Sequence, residues 1–413
     1  MLNILDISNH WSPTGGGVRR YQLEKCAAFA DIPDVRHILV TPDNERDTES
    51  LGRDVIRERV PAPLVPGTGG YRYLLRAPAL TSLLRQHRPD VVVCGSPIVM
   101  PGIVRRAITE AGIDAATVGF WHADFPRTYA GRAFARLYSR LESAGERLGW
   151  WWARRTYGRF DATLVASHTV AATMVRAGLR RIWYSPLGVD TERFHPRHRD
   201  PSLVARARAG APDRRTILFP HRFCDEKGLP VLLEAYERVA AAASEGQRPI
   251  PALVFAGTGP HLPRVNSFCD RHEHAHNLGF ISDPKVLAAW FASADLTVSL
   301  SAWETFGLST AEAMASGLPV VASDQGAAPE LVRDAEAGLC VDGRDPVQVA
   351  TALETLLRDP DLTDYGRRGR AFVEPLTWAA TFQRELAVYR KVVEDRRRGA
   401  AFEAPMTHAA SLL

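Results

Sequence analysis

Glu304 and Glu312 stand eight residues apart in SLSAWETFGLSTAEAMASG, Ser299 to Gly317, with Gly307 between them. The apolar run Leu296–Leu300 precedes the first carboxylate, and a helical pattern begins near Gly307. Strand, loop and helix in that order place the N–H groups of Thr305, Phe306 and Gly307 at a helix N-terminus, which attracts anions. A diphosphate suits such a backbone. Glu312, about one turn into the helix, reaches a ligand docked at its start, so one carboxylate would take sugar hydroxyls and the other ribose hydroxyls. Acidic residues near a helix start are also ordinary capping chemistry. Two of them with a glycine between favour the ligand reading.

Positive charge stands on a second loop. PHRFCDEKGLPVLL, Pro220 to Leu233, follows the apolar run Thr216–Pro220 and carries Arg222 and Lys227 five residues apart. Arginine grips phosphate oxygens with a planar fork and lysine adds a point charge, so the pair suits a departing diphosphate. Solvated surface charge is the plainer account of either residue alone. Many enzymes that use nucleotide sugars hold the diphosphate through a metal on a D-x-D motif. That spacing occurs here at Asp359-Pro360-Asp361, where RDPDLTDYG reads as a turn and helix cap. No metal and no cofactor are expected; the nucleotide diphosphate sugar would be substrate.

Two segments of the first half also matter. NHWSPTGGGVRRY, Asn9 to Tyr21, sets three glycines before a helix, where backbone can approach a polar ligand. It is not a G-x-G-x-x-G dinucleotide fingerprint. FWHADFPRTY, Phe120 to Tyr129, puts His122 and Asp124 at the carboxyl end of a strand, where ligands bind in open α/β sheets. A lone histidine is more often structural; its position argues the other way.

The elements that must position these residues alternate along the chain. Short apolar runs separated by helical patterns are the sequence form of a parallel sheet covered by helices. Leu2–Ile7, His37–Thr41, Val91–Cys94, Ala116–Phe120, Ala162–Ala166 and Ile182–Ser185 read as strands of a first half. Thr216–Pro220, Ala252–Ala256, Asn277–Phe280, Leu296–Leu300, Pro319–Ala322 and Gly338–Val341 read as strands of a second. A chain of 413 residues suits two domains, and a 46% hydrophobic composition fills two cores. The expected division is an N-terminal acceptor-binding Rossmann-like domain over 1–190 and a C-terminal nucleotide-sugar-binding one over 191–377. A helix over 378–398 would pack back on the first, and 399–413 would form a flexible tail. The five cysteines are scattered and form no C-x-x-C pair, as in a reducing compartment. No apolar run approaches the ~20 residues that span a bilayer. The expected location is cytoplasmic, with peripheral attachment at the inner face of the cell membrane left open.

Together these motifs resemble the group 1 (family 4-type) retaining glycosyltransferases with the GT-B fold. The resemblance covers nearly the whole chain. Its carriers are ETFGLSTAEAMASGLPVVASDQGAAPELV, FPHRFCDEKGLPVLLEAY, VFAGTGP and YSPLGVDTERFHP. It implies an α/β fold of two Rossmann-like doubly wound domains facing a cleft, and transfer of a hexosyl group with retained anomeric configuration and no metal. His122, Arg222, Lys227 and Glu304 would be catalytic. Donor contacts would come from Gly16, Gly17, Gly257, Gly259, Thr305, Phe306, Gly307, Leu308 and Glu312. Arg19, Tyr21, Asp124 and Tyr129 would lie on the acceptor side. HADFPRTY, HRPDVVVCGSP and LGWWWARRTYGRFDATLVAS resemble members with lipid acceptors, including GDP-mannose-dependent mannosyltransferases and sulfoquinovosyl transferases. The partners implied are GDP-mannose or a UDP-sugar and a lipid or carbohydrate acceptor. Departures from the family pattern are Ala123, His221 and Thr258.

Between Arg127 and Arg159, a stripe of Phe134, Leu137, Tyr138 and Leu141 lies beside Arg132, Arg136 and Arg140 on a helix. Trp150, Trp151 and Trp152 then precede Arg154 and Arg155. Peripheral contact with an anionic membrane is one reading. An amphipathic helix on the sheet, with the tryptophans in the core, is the other. A net charge of +4 and the lack of a motif exclude nothing by themselves, but nucleic acid has no support. The competing functions are a noncatalytic sugar-nucleotide-binding protein and a GT-B epimerase.

Overall fold

The computed structural model describes residues 1–9, 11, 16–65, 70–131, 142–209 and 211–399. The stripe between Arg132 and Leu141, the glycine loop from Ser12 to Gly15 and the tail from Ala400 lie outside the described residues. The chain divides into two compact units, Met1–Leu187 with Trp378–Leu413, and Gly188–Thr377.

The first unit holds an eight-stranded sheet. Its strands are Leu2–Ile7 (β1), Val35–Asp43 (β2), Asp47–Gly52 (β3), Val55–Pro61 (β4), Val91–Cys94 (β5), Ala116–Phe120 (β6), Ala162–Val165 (β7) and Ile182–Tyr184 (β8). They run in the order β3-β4-β2-β1-β5-β6-β7-β8, parallel throughout except that β3 is antiparallel to β4. Central strands are covered on both faces, so β5 and β6 are buried at every position and read as unbroken apolar runs. The hairpin β3–β4 escapes that signature. Opposite pairs Arg57–Glu49 at 3.2 Å and Thr48–Glu58 at 2.9 Å hold its polar register. Glu58 is buried because His87 Nε2 lies 2.8 Å from it.

Trp378–Arg397 is a helix of this unit. Phe382 packs against Tyr21 and Phe29 with ring centroids 5.7 and 6.0 Å apart, and the Thr381 hydroxyl donates to the Pro186 carbonyl at 2.8 Å.

The second unit holds a six-stranded sheet, all parallel. Thr216–Phe219 (β9), Ala252–Phe255 (β10), Ala275–Asn277 (β11), Leu296–Ser299 (β12), Val320–Ser323 (β13) and Gly338–Val341 (β14) lie in the order β11-β10-β9-β12-β13-β14. The chain adds strands outward from β9 on one side, then crosses to β12 and builds the other. The crevice beyond the carboxyl ends of β9 and β12 is the topological switch point, where doubly wound sheets bind ligands. The run expected as a strand at Asn277–Phe280 ends instead at Asn277. There the Asn277 side chain accepts the Gly279 N–H at 2.9 Å and Gly279 turns at φ 70, which stops the ladder. Among the described residues no helix is long and apolar enough to cross a membrane.

Candidate active site

The switch point of the second unit brings two of the sequence-selected residues into contact. After β9, a short 3-10 turn over Asp225–Lys227 ends at Gly228, which caps the helix Leu229–Glu245. Gly228 has φ 72, and a Cβ there would fall 2.5 Å from Leu300 Cβ, just beyond β12. Only glycine fits that approach. It sets Lys227 against the loop after β12, where the ammonium forms an ion pair with Glu304. Their side chains are 23% and 18% exposed, so the pair stays open to a ligand. Burial would lower the Lys227 pKa, but the Glu304 charge more than offsets it and the group is held above its ordinary value. Burial would raise Glu304, and Lys227 reverses that too, holding the carboxyl below its ordinary value. Both are charged in the neutral range. Gly228→Ala should impose a left-handed alanine, about 1–2 kcal/mol, in addition to the clash with Leu300. Nucleotide titration should then show affinity weakened by about tenfold or more; unchanged affinity would mean that this approach does not matter for the ligand.

The loop carrying Glu304 is itself fixed. The Ala327 N–H donates to the Glu304 carbonyl at 2.9 Å, and Gly326 turns at φ 83 where a Cβ would meet the Ala302 carbonyl at 3.0 Å. Gly307, at φ 94, caps the helix Leu308–Ala315. That helix starts one residue beyond Gly307, so the N–H groups of its first turn belong to Leu308, Ser309 and Thr310 rather than to Thr305 and Phe306. Phe306 is buried, while Thr305 and Leu308 are half-buried. Glu312 follows one turn later and is buried.

His221 occupies the place where the family pattern has glycine, and its side chain turns inward. Its Nε2 lies 2.8 Å from the Val298 carbonyl, which can only accept, so Nε2 carries the proton. Nδ1 is left as an acceptor, 3.4 Å from Ser309 Oγ. Burial, then the charge of Lys227, push its pKa down to about 4, so the ring is neutral. The residue ties β12 to the first turn of the helix and leaves Arg222, exposed beside it, free to reach outward. Gly257 and Gly259 serve the same loop. A Cβ on Gly257 would fall 2.1 Å from the His221 carbonyl oxygen, and one on Gly259 2.5 Å from that of Phe223. These glycines let the two loops close, a packing role that comes before any contact with ligand. His261 Nε2, 2.8 Å from Asp225 Oδ1, adds a further tie.

Asp359 and Asp361 form the expected turn: Asp359 Oδ1 accepts the Asp361 N–H at 2.8 Å, just before the helix Leu362–Val373.

In the first unit, His122 follows β6. Its ring stacks on Phe120 with centroids 4.0 Å apart and planes at 5°, and meets Tyr21 edge-on at 5.0 Å. Gly95, just after β5, lies beneath it; a Cβ there would come 3.4 Å from the imidazole. Asp124 is buried with Arg127 Nη1 3.4 Å from its carboxylate. Burial raises the Asp124 pKa, and Arg127 only partly counters it. Tyr129 is 49% exposed. Gly16 and Gly17 are exposed at the start of the helix Gly17–Ala30, and the Arg19 guanidinium sits 5.4 Å from the Trp11 ring.

Tyr21 departs from expectation. It is 1% exposed, and its hydroxyl lies 2.8 Å from both Glu385 oxygens. The helix Gly17–Ala30 carries it inward, so its hydroxyl is committed and its ring packs edge-on against His122. The buried cluster at that hydroxyl was missed in the sequence: Lys25 and Glu385 bond it, and Asp6 and Tyr389 join them. A charge inside the apolar strand LNILDI was the available signal. Of the three consecutive tryptophans, Trp150 and Trp152 pack against the core and Trp151 is 47% exposed.

Two family models match this chain. Glycosyltransferase Family 4 fits residues 15–193, and Glycosyl transferases group 1 fits residues 214–359. A GDP-mannose-dependent alpha-(1-6)-phosphatidylinositol dimannoside mannosyltransferase of Mycobacterium tuberculosis is 29% identical over 91% of this chain and 93% of its own length. Sulfoquinovosyl transferase SQD2 of Arabidopsis thaliana is 27% identical over 74% of this chain and 58% of its own. Among solved structures, a sucrose-phosphate synthase from Thermosynechococcus elongatus superposes with TM-score 0.73 at 21% identity, covering 95% of this chain and 100% of that one. The architecture is thus that of a GT-B protein, two α/β units each with a largely parallel sheet. The chain thus carries a glycosyltransferase family 4 domain followed by a glycosyltransferase group 1 domain.

Proposed function

We propose that this protein transfers a hexosyl group from a nucleoside diphosphate sugar to a hydroxyl acceptor, with retained anomeric configuration and without a divalent metal. The observation that carries this reading is the Lys227–Glu304 pair at the switch point, beside the first turn of the helix Leu308–Ala315. A cation, a carboxylate and a set of helix N–H groups converge there, and they match a diphosphate and a sugar bearing hydroxyls. As the glycosidic bond breaks, negative charge grows on the diphosphate. Lys227, Arg222 and the helix N-terminus offset it. Glu304 accepts hydroxyls of the transferred sugar and Glu312 those of the ribose. In a front-face substitution the leaving phosphate oxygen takes the proton of the acceptor hydroxyl, so no separate base is required. His122 orients a hydroxyl of the sugar.

The name of the mannosyltransferase relative supports GDP-mannose as donor and a lipid or glycolipid acceptor, with a UDP-sugar as the alternative donor. Peripheral contact with an anionic membrane fits the exposed Leu148 and Trp151, which lie on one helix with Arg154 and Arg155.

The test is release of nucleoside diphosphate from a panel of nucleotide sugars, with acceptor present, before and after addition of a chelator. Turnover should be unchanged by the chelator and confined to one base. Loss of turnover that a divalent cation restores would overturn the assignment of charge to Lys227 and Arg222. Failure of every nucleotide sugar to bind would overturn the whole reading.

A further inference from the structure

An open concavity of about 480 Å³ in the first unit is walled by four arginines, Arg127, Arg147, Arg154 and Arg176, together with Trp150 and Thr173. Among the described residues no carboxylate lines it. Among the described residues, Arg127 alone of the four has an acidic partner, Asp124 at 3.4 Å, and Glu146 lies near enough to act on that same carboxyl. Two of the other guanidinium groups bond neutral groups. Arg154 Nη1 donates to the Ala177 carbonyl at 3.0 Å, and Arg176 Nη2 to Thr173 Oγ1 at 3.3 Å. Each such bond uses one N–H of a five-donor group and leaves the remainder of the fork for another acceptor. Trp150 stacks on Trp121 with centroids 5.7 Å apart and planes at 8°, giving the concavity a rigid apolar wall.

Gathering four like charges around one depression raises the energy of the empty protein, and an anion seated among them removes that repulsion. Guanidinium forks match the paired oxygens of a phosphate better than any other biological anion except a carboxylate. The flat indole beside them suits the carbon that a phosphate ester carries. We propose that this concavity is a second anion site, sharing no residue with the diphosphate loop of the second unit, that takes the phosphate of a phosphate ester. The ester is either a lipid headgroup or a soluble molecule. This assignment stands whether or not the second unit takes a nucleotide sugar.

Calorimetric titration of the full chain with glycerol 3-phosphate at low salt tests it. Arg147 and Arg176 are exposed, so Arg147→Gln with Arg176→Gln preserves the core. Wild type and Lys227→Met should both bind the ester, and the glutamine pair should bind it about tenfold or more weakly. Binding by the glutamine pair equal to wild type overturns the proposal. So does loss of binding in Lys227→Met with the glutamine pair unaffected, or no binding by wild type. Sedimentation with phosphatidylcholine vesicles containing phosphatidylglycerol separates the two sources. Retention that the glutamine pair loses and that glycerol 3-phosphate displaces supports the site and names a lipid. Binding of the soluble ester with vesicle retention indifferent to the pair supports it and names a soluble ligand.

Discussion

Lys227→Met should lower kcat/KM for the true donor by about a hundredfold or more, the scale expected when one preorganised charge-stabilising group is removed, ~3 kcal/mol. Two effects add. The departing diphosphate loses a cation at the switch point, and Glu304 loses the partner that keeps its partly buried carboxyl ionised. A neutral Glu304 can still hydrogen-bond sugar, but one of its oxygens becomes a donor. Steady-state kinetics separates binding from chemistry. A fall in kcat with KM little changed marks charge stabilised only in the transition state, whereas a rise in KM alone marks uniform donor binding. Lys227→Arg should recover part of the rate, because charge returns with a different shape. Activity of Lys227→Met within about threefold of wild type would remove Lys227 from catalysis.

The pH behaviour follows from the same pair, with signs taken in turn. Glu304 has a lowered pKa, so its contribution is complete above the ordinary carboxylate value and is lost only as pH falls through the lower one. Lys227 has a raised pKa, so its contribution is complete below the ordinary lysine value and is lost only at higher pH. His221 gains its charge only near pH 4. Donor binding should therefore be flat between about pH 5 and 9. A bell centred on neutrality would point to another group, with His122 the first to examine.

What could be read in the sequence was whatever local chemistry decides. Val91–Cys94 and Ala116–Phe120 are buried on both faces, and burial on both faces leaves no polar alternation to confuse the run. Gly228 and Gly307 lie where the backbone takes positive φ, and they stand beside Lys227 and the helix start at Leu308. The strands Asp47–Gly52 and Val55–Pro61 were not legible, because their stability lies in cross-strand charge pairs and in the Glu58–His87 contact. Neither strand shows an apolar alternation over its whole length. Tyr21 is the clearest limit. Its place on the helix Gly17–Ala30 was readable, but the direction of its hydroxyl is set by Glu385, 364 residues further along the chain. His221 is the reverse case. It stands where the family pattern has glycine, and only the structure shows that its ring turns inward to the Val298 carbonyl.

The largest stability effect should come from Lys25→Met. Lys25 Nζ lies 2.8 Å from Asp6, 3.0 Å from Glu385 and 2.8 Å from the Tyr389 hydroxyl, and none of these groups reaches solvent. Gln22 donates to Asp6 at 3.3 Å, and His37 faces the same carboxylate at 3.8 Å with its pKa lowered by burial. Taking these charges out of water is costly, so intact they add little net stability. Breaking the set is different: without the ammonium, two carboxylates share a dry pocket with no counter-charge. Removing one partner of such a pair costs about 3–5 kcal/mol. Because Asp6 sits on β1, Lys25 on the helix Gly17–Ala30 and Glu385 on the helix Trp378–Arg397, the loss should loosen that last helix first. Amide exchange should accelerate across Trp378–Arg397, and the thermal transition of the first unit should fall by roughly 10 °C. Adding Asp6→Asn and Glu385→Gln to Lys25→Met should restore part of the loss, since neutral groups need no counter-charge. The sign with pH is fixed as well. Burial would raise the Asp6 carboxyl, but Lys25 and His37 hold it well below the ordinary range. Its stabilisation is thus present above about pH 4, the unfolded value, and is lost progressively as pH falls below it. Lys25→Met should flatten that acid limb. A variant that melts at the wild-type temperature and keeps its acid limb would show that the cluster does not anchor the helix.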